Sequence, residues 1–96
     1  MNLDEFKSSI IKSTTPPALT SSLQAMWYDG KGDWNRAHDV AQEISTSEGS
    51  WIHAYLHRKE GDQSNAVYWY HRANRPVCKS SLEKEWDDIV TTLLSA

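Results

Sequence analysis

Cysteine is nearly absent from this 96-residue chain: Cys78 stands alone, which excludes an internal disulfide and a cysteine-rich metal site. The start, Met1-Asn2-Leu3-Asp4-Glu5, carries acid where a secretory signal carries base, and no apolar run approaches the ~18 residues of a membrane span. A soluble, cytoplasmic protein with no membrane partner is therefore expected. No apolar stretch alternates as a strand would. Also missing are a phosphate-cradling glycine loop, a serine in a nucleophile elbow and a Cys/His signature, so no catalytic residue and no cofactor are assigned. Asp29-Gly30-Lys31-Gly32-Asp33 is not a calcium loop, because the position requiring glycine is Trp34 and the one requiring glutamate is Val40. Cys78 lies in a Pro/Ser connector and reads as an incidental thiol.

What the chain does contain is a block that occurs twice. Ala25-x6-Gly32-Asp33-x3-Ala37 returns as Ala54-x6-Gly61-Asp62-x3-Ala66, an offset of 29 residues that keeps every internal spacing. Around it the apolar residues fall at helical spacings. Leu3, Phe6, Ile10 and Ile11 make a first stripe, with Asn2 and Glu5 as a capping box. Thr14 to Pro17 is expected to end that helix and open the next, which carries Leu19, Leu23, Met26 and Trp27. Asp33 is placed to cap a third helix with Trp34, Ala37, Val40, Ala41 and Ile44 inward. A fourth spans roughly Glu48 to Lys59, and Asp62 caps a fifth with Ala66, Val67, Trp69, Tyr70 and Ala73. The last carries Leu82, Trp86, Ile89, Val90, Leu93 and Leu94, with Ser80 and Glu83 as its expected capping box.

Helix, Gly-Asp turn, helix, with Ala25/Ala54 before the turn and Ala37/Ala66 after it, resembles the tetratricopeptide repeat. The resemblance covers about residues 18–76, and Tyr70, Ala73 and Pro76 echo that family's second helix and its exit. The period is shorter than the ~34 residues of the family, Ile44 stands where copy two has Ala73, and Pro76 comes early. The stretch from Trp51 to Asp62 also resembles a family of small bacterial and fungal proteins that implies no activity. The expectation is one all-α domain over residues 1–96: a compact bundle of about six helices, built on two TPR-like hairpins. Two copies are fewer than the ~3 that such stacks need, so helices at about 3–12 and 82–94 are expected to cap the open ends.

Charge is unevenly spread. Residues 51–80 hold Arg58, Lys59, Arg72, Arg75 and Lys79 against Glu60 and Asp62, between two acidic flanks. The aromatic content is high, with five tryptophans and four tyrosines, and Tyr68-Trp69-Tyr70 cannot all face the core of one helix. The leading expectation is a non-enzymatic module that binds an acidic peptide or partner protein through the second repeat. Arg58, Lys59 and Arg72 would supply charge, and Trp51, Tyr55 and Tyr68 contact area. A small anion is a further candidate ligand; nucleic acid is disfavoured by the acidic total. The alternative is a small-molecule or metal-dependent site from His53, His57, Glu60 and Tyr70. His53, His57 and Glu60 fall within about 60° on one helix, and His-x3-His lets two imidazoles reach one ion. Against this stands the structural expectation, in which His53 and His57 pack towards the second helix and bond Tyr70 or a backbone carbonyl.

Overall fold

Short polar side chains set the helix starts, because each accepts a hydrogen bond from an otherwise unpaired backbone N–H in the first turn. Our computed structural model describes residues 1–96. It contains six helices, α1 (Leu3–Lys12), α2 (Ser21–Gly30), α3 (Trp34–Gln42), α4 (Ser47–Glu60), α5 (Gln63–Arg72) and α6 (Leu82–Leu94), and no strand. Asn2 and Glu5 form the expected capping box of α1, and Asp33 and Asp62 cap α3 and α5. No helix is long and apolar enough to cross a membrane.

The duplication is visible in the backbone. Gly32 and Gly61 have φ of 89° and 91°, a left-handed turn that glycine adopts without steric cost. The caps that follow them, Asp33 and Asp62, share ψ of 75° and 77°. Ala25, Ala37, Ala54 and Ala66 are all fully buried, so the four small residues lie where helices approach most closely.

Several local expectations are corrected. α2 starts at Ser21, capped by Thr20, and not at the prolines. Residues preceding a proline are pushed into extended conformations, so 13–20 forms a connector. Ser81, not Ser80, caps α6, and its hydroxyl accepts from Lys84 N. Ile44 lies just beyond α3, while Ile11 and Val67 face solvent.

The helix contacts sort the molecule into layers. α2 and α4 are central; α3 and α5 each pack against α4, and α3 also against α2. α6 lies across α2 and α4, with α1 against α2 and α6. The terminal helices therefore do not cap the two ends of the pair. They cover the two leading helices from one side; neither backbone approaches α3 or α5, and α6 reaches α5 through the Glu85 carboxylate, which accepts from Tyr70. Trp86, Ile89 and Val90 of α6 and Phe6 and Ile10 of α1 complete a core built around Met26, Trp27, Ile52 and Leu56.

Candidate functional site

α4 is buried along most of its length, yet nearly every position carries a polar group. The helical period divides these groups between two sides. Trp51, Tyr55, Arg58 and Lys59 point to the α2/α6 side. There the indole N–H of Trp51 donates to Glu85 (3.2 Å), the Tyr55 hydroxyl donates to Asp29 (3.2 Å), and Lys59 pairs with Asp29 (3.0 Å). Arg58 pairs with Glu85 at 2.8 Å and also donates to the Ser80 carbonyl. Tyr70 reaches the same carboxylate, its hydroxyl 2.7 and 2.6 Å from the two oxygens. Burial, with Asp29 and Glu85 respectively, raises the Tyr55 and Tyr70 phenols well above their ordinary range.

The six residues expected to form the binding surface for an acidic partner are thus not brought together. Trp51, Tyr55 and Tyr70 are buried, and Arg58 and Lys59 are neutralised by carboxylates that the expectation did not include. Tyr68 and Arg72 are exposed on α5, with the guanidinium 3.2 Å from the phenol oxygen. Tyr70 also drops out of the histidine site, because its hydroxyl is committed to Glu85 on the opposite side of α4.

His53 and His57 emerge on the side of α4 that faces α3 and α5, and His38 of α3 joins them. His53 and His57 stack at a centroid separation of 4.8 Å, and His38 lies edge-on to both at 4.6 and 5.2 Å. One ligand nitrogen from each imidazole falls within 4.8 Å of the other two. The Nε2 atoms of His38 and His53 are 2.9 Å apart, a hydrogen bond in which one ring carries the proton and the other accepts.

Two tryptophans hold these rings. Trp34, whose indole N–H donates to the Leu56 carbonyl at 2.8 Å, stacks on His38 at 5.0 Å and 13°. Trp69 stacks on His53 at 3.9 Å and 12°. No Cα of α3 comes within 8 Å of one on α5, so the imidazoles lie in the seam where two outer helices diverge over α4.

Glu60 belongs to this cluster in a role different from the one expected. Its Oε2 lies 2.6 Å from His57 Nδ1 and accepts that N–H, which fixes the orientation of the ring. The third group beside His53 and His57 is the imidazole of His38, while His57, Glu60 and Asp62 form a second, more exposed cluster. His38 was absent from the sequence expectation because the repeat offset pairs it with Val67, and the chemistry was sought within one helix. The available signal was Trp34-x3-His38, an aromatic over an imidazole one helical turn apart. His71, the third histidine of the basic segment, is exposed and apart from the cluster.

The cluster is electrostatically neutral at physiological pH on two of its three rings. Burial, then the neighbouring His38 and His57, lowers His53 from 6.5 to about 4; burial and His57 lower His38. A neutral imidazole is the form that binds metal. Comparison with protein-family models, curated proteins and solved structures returns no match to this chain, so no relative supplies a role for these residues.

Proposed function

We propose that this protein binds one divalent transition-metal ion of the zinc type through His38, His53 and His57. The observation that carries the reading is three buried or half-buried imidazoles with ligand nitrogens within 4.8 Å of one another. Three imidazole nitrogen donors without thiolate suit Zn²⁺, Co²⁺, Ni²⁺ or Cu²⁺ and do not suit Mg²⁺ or Ca²⁺, which take oxygen ligands. Glu60 supports the reading by orienting His57, as carboxylates behind metal-bound histidines do. Two nitrogens on a tetrahedral zinc ion at ~2.0–2.1 Å stand about 3.3 Å apart. The 2.9 Å contact between His38 and His53 thus has to open by only a few tenths of an ångström. Three protein ligands leave one tetrahedral position for water, an anion or a substrate, the arrangement of catalytic rather than closed structural zinc sites.

The test is calorimetric titration of chelator-stripped protein with ZnCl₂ and, separately, CoCl₂, with metal content and melting temperature measured alongside. One equivalent per chain is expected, and cobalt should give the visible bands of a four-coordinate ion. At a free metal concentration a hundred times Kd, linkage contributes about 2.7 kcal/mol, a rise of Tm on the order of 10 °C. His38→Ala should remove most of the affinity, and Glu60→Gln should weaken it by about 10-fold to 100-fold. Absence of stoichiometric binding of both zinc and cobalt overturns the reading. Retention of full affinity by His38→Ala returns the site to His53, His57 and Glu60.

A further inference from the structure

α5 is the one helix whose backbone lies close to a single neighbour, α4, and on that inward side Tyr70 also reaches Glu85 of α6. Its opposite face is a continuous stripe. Val67, Tyr68, His71 and Arg72 follow one another at spacings of 1, 3 and 1, all exposed, and the exposed Arg75 stands at its C-terminal end, past the left-handed Asn74. Val67 and Tyr68 are two of only four large apolar side chains that face solvent, at 44% and 53% exposure, and they are adjacent. In a stack of helical hairpins this is the face that a following repeat would cover. α6 turns away to α2 and α4 and leaves it open.

The charge of the segment that forms this face and leads away from it is one-signed, although Arg75 and Lys79 line a cavity with Glu85 and Asp88 of α6. Residues 63–80 carry Arg72, Arg75 and Lys79 and no acidic residue, in a chain whose net charge is -3. None of the protein's salt bridges involves these three cations. Two of them are held in place without being neutralised. Arg72 lies over the Tyr68 and Trp69 rings at 5.8 and 5.4 Å, and the Arg75 guanidinium sits 3.5 Å from the centre of the Trp51 ring. Cations fixed on aromatic faces lose little side-chain entropy when they meet a carboxylate.

We infer that this stripe docks an acidic segment of a partner protein, one that sets carboxylates against Arg72, Arg75 and Lys79 and an apolar side chain against Val67 and Tyr68. A second copy of this chain does not fit: a two-fold pairing through the stripe brings the same three cations of each copy together with no acid between them. A nucleic acid is the poorer polyanion, because it would run past the acidic flanks at 1–50 and 81–96 and offers nothing for Val67. The surface of one ten-residue helix is small for an interface, so the affinity belongs to the weak, transient, salt-sensitive class.

The inference is independent of the metal site and is tested with metal-free protein. A random peptide library displayed on phage is selected on the immobilised full chain. Enriched peptides are then synthesised with a fluorophore and measured by anisotropy. Selected peptides should be net acidic with at least one aliphatic or aromatic residue, bind in the micromolar range, and lose at least tenfold in affinity between 50 and 300 mM salt. Arg72→Glu and Tyr68→Ala should each weaken them at least tenfold with an unchanged melting temperature, since both side chains are exposed. The inference is overturned by enrichment of peptides without acidic bias, by equal binding to the two variants, or by displacement of the peptides by a single-stranded oligonucleotide at comparable concentration. A dimer mass in solution that reverts to monomer in Tyr68→Ala overturns it in favour of self-association.

Discussion

Glu85 is the group on which the α4/α6 side of the bundle depends. Its side chain is 1% exposed and receives Arg58 at 2.8 Å, both hydroxyl contacts of Tyr70 and the indole N–H of Trp51. Glu85→Ala deletes the only carboxylate partner of Arg58, whose side chain is itself 17% exposed. A charge left buried without its partner costs about 3–5 kcal/mol, and an orphaned phenol and indole add to this without being additive. A loss of about 4 kcal/mol is a large share of the ~5–15 kcal/mol that holds a typical domain together, and corresponds to a fall in Tm of about 15–30 °C. Glu85→Gln keeps an acceptor for Tyr70 and loses the charge, so its cost should be about half. The measurement is urea unfolding followed by tryptophan fluorescence and far-ultraviolet circular dichroism, with coincident transitions and equal m-values required before stabilities are compared. If Glu85→Ala unfolds within about 1 kcal/mol of the parent protein, the network is solvated and the account of the α4/α6 interface given above fails.

The histidine seam predicts an acid sensitivity of definite sign. His53 has its folded pKa lowered to about 4 from 6.5, so the unfolded chain takes up its proton first and stability falls as pH drops from about 6.5 to 4, by at most about 3 kcal/mol. The difference between parent and His53→Gln in urea unfolding at pH 7 and pH 4.5 isolates this contribution from that of the carboxylates; identical pH slopes would refute it. Gly49→Ala is expected to cost about 1–3 kcal/mol, because the new methyl would lie 2.7 Å from Ile44 Cβ and closer still to the Ile44 carbonyl oxygen, a backbone group that cannot swing aside. A Tm equal to that of the parent would mean that the 43–46 turn gives way without cost.

What was legible in the sequence is what local chemistry decides. Asn2, Asp33 and Asp62 cap helices because their side chains reach a backbone N–H two or three residues on, an event contained within one turn. The twin Gly-Asp turns were readable for the same reason. The start of α2 was not, because two adjacent prolines are compatible both with a first turn and with an extended connector, and only the packing of Leu23 and Trp27 against the core chooses between them. The placement of α6 lay further out of reach. Its stripe of Leu82, Trp86, Ile89 and Val90 shows that one side is buried, but not which neighbours bury it. Glu85 falls on that inward side and carries no apolar signal, so the pattern does not mark a charge central to the interface. The same gap separated Arg58 and Tyr70 from their real partner and lent them to a binding surface that does not form.

The two sides of α4 bury polar groups on different terms, and that contrast bears on function. On the α6 side both buried carboxylates are answered, Glu85 by three donors and Asp29 by Tyr55 and Lys59, and the Trp86 indole N–H alone lacks a partner. Such a network can be accounted for by folding alone. On the α3/α5 side, His57 has Glu60, but His38 and His53 have only each other, and one hydrogen bond between two neutral rings leaves their remaining nitrogens without a protein partner. Packing three imidazoles against one another lowers the proton affinity of two of them, which is a cost to folding below neutral pH and no gain above it. Apolar side chains of similar volume between Trp34 and Trp69 would fill the seam without that cost. A metal ion is the ligand that turns converging lone pairs from an expense into a bond, and it would draw its folding contribution from the same three rings. The prediction that separates the two accounts is His38→Phe: if the cluster is only packing, the variant should be as stable as the metal-free parent or more so, and zinc should leave both unchanged. If it is a metal site, the zinc-loaded parent should exceed the variant in Tm by about 10 °C, with the order equal or reversed once the metal is removed.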